Sequence, residues 1–443
     1  MASVFPSGMA HMVQQNLDGM PMIMHNRQWS PVSDYVLAGS FEWLTSELAA
    51  IPRDPFAFFE WFFRQQDGWN LHMYEQDWLN KEYDQVESLH TNITLADDWL
   101  RGMARGLALS GRTQQYCMPY AYDILAASAL GGVVTNARAT NDYFHATDHR
   151  TWAIGATALF YAALEILPFK DGFYSSTARQ VGGAQEGPET SPDREILVAT
   201  LSAAMVGPMD GLGYVNASRV LASCRSDGVV LKPDRPLVLS DACFSRALPE
   251  TCDVFAAFAD LGEGQEMHHF LYVDDPDRSL VFNDTVAELL APEAVDQVVA
   301  FNYYTRHFKR VTGNTALHGT IATPGYENHT YLLFAPLLDD WALVGEVDKY
   351  VPASALRFKA LARQQGALHV SVLAAANETV GPVCAVYDQG GAMTGYDATT
   401  LVCNSVTNPD PHNEALLSLT FQPPPPSSQQ QHRLPEKMLL SSS

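Results

Sequence analysis

The stretch that decides the fold runs from residue 70 to residue 120. It begins with N-L-H-M-Y-E-Q-D-W-L-N (70–80), continues with T-L-A-D-D-W-L-R-G-M-A-R-G-L-A-L-S-G (94–111) and ends with T-Q-Q-Y-C-M-P-Y (113–120). The first and last pieces are predicted strands with polar residues at their ends. The middle piece is a predicted helix, with Thr94 as its N-cap and Gly111 at its end. A strand, a helix and a strand in this order predict a parallel pair of strands.

The same alternation extends to both sides of this stretch. Further strands are predicted in P-M-I-M-H-N-R (21–27), V-V-T-N-A-R-A-T-N-D-Y-F (133–144) and P-F-K-D-G-F-Y (168–174), and one more within E-I-L-V-A-T-L-S-A-A-M-V-G-P-M-D-G (195–211). Helices are predicted between them, the first beginning at Asp54-Pro55. After an irregular leader (1–20), residues 21–250 therefore predict an α/β fold, a (β/α)8 barrel of the TIM type.

A different pattern follows in residues 251–420. Apolar and polar residues alternate in runs such as E-M-H-H-F-L-Y-V-D (266–274) and A-L-H-V-S-V-L-A-A (367–375), which predicts an antiparallel β domain of the sandwich type. The last segment, 421–443, is rich in Pro, Ser and Gln and is predicted to be disordered.

Composition excludes several classes of partner. The 443 residues carry 27 basic and 50 acidic side chains and a formal net charge of -23. Nucleic acids and anionic membranes are attracted by clustered Lys and Arg, so neither is an expected partner. No signal peptide or transmembrane segment is visible. The six cysteines form no C-x-x-C pair, so no metal or redox cofactor is predicted, and disulfides remain open.

Acidic residues lie where the predicted barrel strands end. A β/α barrel places its chemistry at the carboxyl ends of its strands. Five strand ends follow one another here, and four of them carry acidic side chains. In chain order the residues are Glu75 and Asp77, then Cys117, then Asp142, Asp171 and Asp210. The pattern alone leaves two interpretations open, an active site or a series of solvated loop carboxylates.

The motifs at these ends resemble those of glycoside hydrolase clan D, the α-galactosidases and raffinose synthases of families 27 and 36. Y-E-Q-D-W-L (74–79) resembles the Lys-x-Asp nucleophile motif, and N-A-R-A-T-N-D (136–142) resembles the acid/base segment. P-F-K-D-G-F (168–173), V-G-P-M-D (206–210) and the segment 228–244 follow in the family's order. About six barrel strands are visible, so the first strands of the family are expected to be absent. The chain would then be a fragment, or its leader would close the barrel irregularly.

The resemblance implies a retaining O-glycoside hydrolase of the α-galactosidase type that acts on a carbohydrate. Asp77 matches the nucleophile and Asp142 the acid/base, and the double displacement needs no cofactor. The remaining candidates are predicted to bind substrate: Arg138, Glu75, Asp171, Trp78, Cys117 and Asp210. Three of these have alternative interpretations. Trp78 could instead pack in the core, Asp171 could form a surface pair with Lys170, and Cys117 is expected to be a small pocket-wall residue.

Glu75 departs from the family pattern, which has Lys at this position. Residues 75 and 77 lie on the same face of a strand, so two carboxylates there would repel each other. One of the two would therefore be protonated, or Glu75 would itself be the functional acid. Two other functions remain open: glycosyl transfer of the raffinose-synthase type, which would use the same two carboxylates, and a catalytically inactive carbohydrate-binding protein. The oligomeric state is not predicted.

Overall fold

The computed structural model describes residues 5–143, 154–180, 188–244, 254–262, 267–274, 285–290, 297–315, 329–388 and 399–424. Most of the predicted disordered tail, from residue 425 onward, lies outside these ranges.

Helices and strands alternate in the first part of the chain. The elements are α1 (Met9–Asn16), β1 (Met22–Asn26), α2 (Asp34–Leu37), β2 (Trp43–Thr45), β3 (Ala50–Pro52), α3 (Pro55–Arg64), β4 (Leu71–Gln76), α4 (Leu79–Gln85), α5 (Glu87–Thr91), α6 (Leu95–Leu109), β5 (Thr113–Tyr116), α7 (Ala121–Ala127), β6 (Val134–Arg138), α8 (Ile154–Ala163), β7 (Leu167–Phe169), α9 (Pro192–Leu201) and α10 (Ala217–Leu221).

Five of these strands form one parallel sheet in the order β1-β4-β5-β6-β7. The predicted parallel α/β sheet is confirmed, whereas its closure into a barrel stays a prediction. The strand expected within 195–211 is reduced to a single parallel bridge between Phe173 and Pro208. The two hydrogen bonds of this bridge run from the Phe173 amide to the Gly207 carbonyl and from the Met209 amide to the Phe173 carbonyl.

Helix α3 begins as the sequence predicts. The Asp54 side chain accepts a hydrogen bond from the Ala57 amide at 3.1 Å, and Pro55 occupies the first turn. Phe59 and Phe63 of this helix are fully buried, and Phe63 packs on Tyr74 of β4 with ring centroids 5.1 Å apart. This contact leaves the other face of β4 free for polar side chains.

The start of helix α6 differs from the prediction. Thr94 occupies the N-cap position, but its side chain makes no capping hydrogen bond. The Thr94 hydroxyl instead lies 3.3 Å from Oδ1 of Asn92, which also accepts the Thr94 amide. The predicted end is confirmed, since Gly111 follows the helix at a φ of 65° that favours glycine.

Helices α3 and α6 approach each other closely through Gly106. A Cβ atom built on Gly106 would lie 2.8 Å from the Phe59 backbone. We expect Gly106→Ala to destabilise the protein, because overpacking of about 1–3 kcal/mol outweighs a helix-propensity gain of up to about 1 kcal/mol. Urea denaturation measures the change, and Ala108→Gly, at an exposed position of α6, measures the propensity effect alone. An unchanged or raised stability of Gly106→Ala would contradict the close approach.

The second part of the chain is mostly antiparallel. Its elements are β8 (Arg235–Leu239), α11 (Asp241–Phe244), β9 (Val254–Asp260), β10 (Met267–Asp274), α12 (Val286–Leu290), β11 (Val298–Asn302), β12 (Phe308–Val311), β13 (His329–Pro336), β14 (Trp341–Glu346), β15 (Phe358–Gln364), β16 (Ala367–Ala374), β17 (Thr379–Asp388), β18 (Thr399–Thr407) and β19 (Ala415–Phe421).

These strands form a six-stranded sheet, β12-β11-β13-β10-β9-β8, and two three-stranded sheets, β14-β17-β18 and β15-β16-β19. The predicted antiparallel character is confirmed. Strand β8 comes from the segment 228–244, which resembles part of the family's barrel, but it pairs antiparallel with β9. A disulfide joins Cys384 of β17 to Cys403 of β18, and Cys117 and Cys224 are free thiols. Within the described ranges, no helix is long and apolar enough to span a membrane.

Candidate active site

The carboxyl ends of β1, β4, β5, β6 and β7 lie at one edge of the parallel sheet, because parallel strands all point the same way. Asp77 follows β4 directly and is 7% exposed. Its Oδ1 accepts the Trp78 amide at 2.7 Å, and its Oδ2 lies 3.1 Å from His25 Nε2 and 3.9 Å from Arg27 Nε. The Asp77 amide donates to the carbonyl of Asn26 at 2.7 Å. Asp77 is thus held at the junction of β1 and β4.

This environment favours the ionised form of Asp77. Burial alone would raise the pKa of the carboxyl, but hydrogen bonds from His25, Cys117 and the Trp78 amide outweigh it, so the pKa lies below its usual range. The same contact with Asp77 raises the pKa of His25, against the opposing effect of burial. The Asp77 carboxylate is therefore a buried anion with a fixed orientation.

Glu75 and Cys117 lie beside Asp77. Burial raises the pKa of the Glu75 carboxyl, and the negative charges of Asp77 and Asp171 raise it further, whereas His25 and Cys117 lower it. Cys117 is 3% exposed, and burial raises the pKa of its thiol, with a further contribution from the neighbouring carboxyl groups of Asp77 and Glu75. The thiol is therefore protonated at neutral pH, which disfavours a nucleophilic role. Its role as a pocket-wall residue stays a prediction.

Arg138, the last residue of β6, connects the other two acidic residues. Its Nη1 lies 2.6 Å from Oδ1 of Asp142 and 3.6 Å from Oδ2 of Asp171. The Arg138 side chain is 10% exposed, whereas that of Asp142 is 59% exposed. Arg138 lies near enough to Cys117 for its positive charge to oppose the rise in the pKa of the thiol, which places this group beside Asp77. The structure thus brings six predicted residues to one edge: Glu75, Asp77, Cys117, Arg138, Asp142 and Asp171.

The alternative interpretation of Asp171 as a surface partner of Lys170 is wrong. Lys170 is 2% exposed and pairs with Glu195 of helix α9. Asp171 points back toward β6, where its Oδ2 accepts the Tyr143 amide at 2.9 Å, and its Oδ1 accepts the Gly172 amide at 2.8 Å. Asp171 therefore fixes the segment that carries Asp142.

Trp78 and Asp210 lie differently from the other candidates. Trp78 is half-buried, and its ring lies 4.9 Å from the guanidinium carbon of Arg27 rather than in the apolar core. Asp210 accepts hydrogen bonds from the Ser175 amide and from Gln180 Nε2 at 2.7 Å. The Asp210 carboxylate therefore holds together the segments around Ser175 and Gln180. Its described contacts do not join it to Arg138 or Asp77.

The sequence analysis did not select several polar residues that lie at this edge. His25 and Arg27 lie at the end of β1, and Gln115 and Asn136 lie within β5 and β6. The rule that chemistry follows strand ends applied equally to the predicted strand 21–27, and would have selected His25 and Arg27. Gln115 and Asn136 carried a second signal, since polar side chains inside a parallel strand depart from the usual apolar run.

No protein-family model and no curated protein matches this sequence significantly. Solved structures that resemble this chain in part include the following three, all at low sequence identity. A family 27 β-L-arabinopyranosidase from Geobacillus stearothermophilus is 10% identical, with a TM-score of 0.48 over 73% of this chain and 75% of that one. An isomalto-dextranase from Arthrobacter globiformis T6, in complex with panose, is 10% identical, with a TM-score of 0.41 over 82% and 69%. The galactosidase domain of an α-galactosidase–sucrose kinase is 12% identical, with a TM-score of 0.40 over 74% and 45%.

Proposed function

We propose that this edge of the sheet is the active site of a retaining O-glycoside hydrolase of the α-galactosidase type, with Asp77 as nucleophile and Asp142 as acid/base. The observation that carries the proposal is the state of Asp77. It is a buried carboxylate, kept ionised at a strand end and oriented by His25 and the Trp78 amide. A glycosidase nucleophile needs these properties, because it must attack the anomeric carbon as an anion.

The reaction would proceed in two displacements. Asp77 attacks the anomeric carbon and forms a glycosyl ester, while Asp142 gives its proton to the departing glycosidic oxygen. Asp142 then takes a proton from water, which attacks the ester and releases Asp77. Asp142 must be protonated in the complex with substrate. Arg138 can release it without losing a carboxylate partner, since Asp171 lies 3.6 Å from the same Arg138 nitrogen.

The acid/base assignment makes a prediction about leaving groups. We expect Asp142→Ala to lower kcat by about 10²–10⁴-fold on an alkyl or sugar glycoside, which needs protonation to leave. On a nitrophenyl glycoside, whose leaving group departs as a stable anion, the loss in kcat/KM should be much smaller. There kcat still falls, because the glycosyl ester is hydrolysed slowly without its general base. Azide should restore turnover and give a glycosyl azide with the configuration of the substrate, because azide needs no general base. Chromogenic and chromatographic assays over a panel of pyranosides measure both effects.

A matched control is available in helix α6. Asp97 pairs with Arg101 at 2.6 Å with i,i+4 spacing, as Asp142 does with Arg138, and is 49% exposed. Asp97→Ala should leave kcat unchanged on both classes of glycoside. An equal loss on both classes in Asp142→Ala, without rescue by azide, would exclude Asp142 as the acid/base. Transfer to an added sugar in preference to water would identify a transglycosylase, and binding without any turnover an inactive relative.

A further inference from the structure

A row of polar side chains crosses the parallel sheet on the face turned away from helix α3. The strand register pairs His25 with Glu75, Glu75 with Gln115, and Gln115 with Asn136. Partners in a parallel ladder project on the same side of the sheet, so these four residues form one row, named here the polar row. Parallel strands usually carry apolar side chains on both faces. A polar row therefore indicates a face that contacts something other than core.

Two acceptors in the polar row have no partner among the residues that the structure describes. Gln115 is 1% exposed and Asn136 is 3% exposed, and Oε1 of Gln115 and Oδ1 of Asn136 are buried without a hydrogen bond. Leaving a buried acceptor unsatisfied costs about 1–3 kcal/mol. Two such acceptors side by side fit a ligand that supplies hydroxyl donors at this position.

Glu75 lies between these acceptors and Asp77, and its surroundings disfavour a second negative charge. The groups that act on it are His25 of β1, Asp77 after β4, Cys117 after β5 and Asp171 after β7, with Arg138 of β6 next to Cys117 and Asp171. His25 is already in contact with Asp77. Two guanidinium groups lie at this edge: Arg138 contacts Asp142 and Asp171, and Arg27 lies 3.9 Å from Asp77. Neither forms an ion pair with Glu75 among the contacts that the structure describes.

We propose that Glu75 is the protonated member of a Glu75–Asp77 carboxyl pair, and that its O–H donates a hydrogen bond to a hydroxyl of a neutral sugar held against the polar row. Gln115 and Asn136 then accept hydrogen bonds from the sugar. This inference rests on the proposed function, because it uses the same sugar-binding edge. It also selects a substrate class. A uronic acid or a sugar phosphate would bring another anion to Asp77, whereas a neutral pyranoside supplies both the acceptor and the donors.

A pH dependence of binding follows. Burial and the neighbouring carboxylates raise the pKa of Glu75, so Glu75 loses its proton only above the usual range of a glutamate. The competent form is the neutral one, so its fraction falls as the pH rises through that pKa. Apparent affinity falls with the competent fraction, by about tenfold per pH unit once deprotonation dominates. We therefore expect KM to rise with pH in the wild type.

Glu75→Gln tests this expectation, since glutamine is neutral at every pH and keeps an N–H donor. With p-nitrophenyl α-D-galactopyranoside and a panel of other neutral nitrophenyl pyranosides as probes, the rise of KM with pH should disappear in Glu75→Gln. Glu75→Ala should have a high KM at low pH as well. Glu87→Gln, an exposed glutamate on α5, is the matched control and should keep the wild-type profile.

A substrate-free measurement separates this inference from the proposed function. A carboxyl with a raised folded-state pKa stabilises the protein fully below its unfolded pKa and loses that contribution as the pH rises through the folded pKa. Thermal denaturation should therefore show Glu75→Gln gaining stability over the wild type as the pH rises above the ordinary glutamate range. If no probe is turned over, the Kd of the same glycosides is measured by calorimetry against pH. A wild-type affinity that does not depend on pH, or a pH dependence that survives in Glu75→Gln, would overturn the inference. So would stability profiles of the two proteins that run parallel.

Discussion

Asp77→Asn should lower kcat by at least ~10³-fold, a loss of about 4 kcal/mol of transition-state stabilisation. Asparagine keeps the shape of the side chain, and its Oδ1 can still accept the Trp78 amide, which lies 2.7 Å away in the wild type. Since it carries no charge, it cannot attack the anomeric carbon as an anion. The change should therefore remove turnover and spare the fold, which circular dichroism and thermal denaturation can verify. Asp97→Asn, on the exposed face of α6, is the control and should keep full activity.

Chemical rescue makes the assignment of Asp77 more stringent. In Asp77→Gly the missing carboxylate leaves room for azide, which should attack the anomeric carbon directly and give a glycosyl azide of inverted configuration. The azide formed by Asp142→Ala should instead have retained configuration, because there azide attacks the glycosyl ester of Asp77. Opposite stereochemistry in the two variants distinguishes a nucleophile from an acid/base. Asp77→Asn with wild-type turnover, or retained azide from Asp77→Gly, would remove Asp77 from the nucleophile role.

Local periodicity predicted the parallel half of the fold because each strand and helix carries its own signal. The alternation of strand and helix from residue 21 predicted the five strands β1, β4, β5, β6 and β7, and the Asp54-Pro55 pair placed the start of α3. Strand β8 shows the limit of this reasoning. It lies in the segment 228–244, which the resemblance assigns to the barrel, but the residues at 254–260 pair with it antiparallel. Pairing direction is a tertiary property that the strand's own sequence does not contain.

The candidate site was predictable to the extent that strand ends were predictable. The rule that chemistry follows strand ends selected Glu75, Asp77 and Asp171 before any contact was known, and the structure brings them to one edge. Asp210 also lies at a predicted strand end, but its carboxylate accepts hydrogen bonds from the Ser175 amide. Which member of a carboxyl pair holds the proton depends on burial and on hydrogen bonds from distant segments. The sequence could show that Glu75 and Asp77 conflict, and only the three-dimensional environment separates them.

The largest effect on stability is expected in the antiparallel part, at Arg357. This guanidinium is fully buried and binds two glutamates: its Nε lies 3.0 Å from Glu346, and Nη1 and Nη2 each lie 2.7 Å from Glu378. Glu378 also accepts a hydrogen bond from the Ser226 amide at 2.9 Å. This bond connects the turn that precedes β8 to the three-stranded sheets. Burial alone would raise the pKa of Glu378, but Arg357 and backbone amides outweigh it and lower the pKa to about 2.

We expect Arg357→Ala to lower the free energy of unfolding by about 3–5 kcal/mol, because it leaves two buried carboxylates without their cation. Removing one partner of a buried pair costs more than removing the whole group. A variant that also carries Glu346→Gln and Glu378→Gln should therefore recover part of the loss. Arg101→Ala, which breaks an exposed pair with Asp97, should cost no more than about 1 kcal/mol. Urea denaturation at neutral pH compares the three variants. Equal losses in Arg357→Ala and Arg101→Ala would show that the buried group does not hold these sheets together.

The same group contributes to the acid stability of the protein. A carboxyl with a depressed folded-state pKa contributes stability that is complete above its unfolded pKa and is lost as the pH falls through the folded pKa. Stability due to Glu378 should therefore decline from about pH 5 toward pH 2 in the wild type. Arg357→Ala removes the cation that depresses the pKa, so the difference in stability between wild type and variant should shrink over this interval. A difference that stays constant from neutral pH to pH 2 would mean that the loss comes from the cavity left by the side chain and not from the charges.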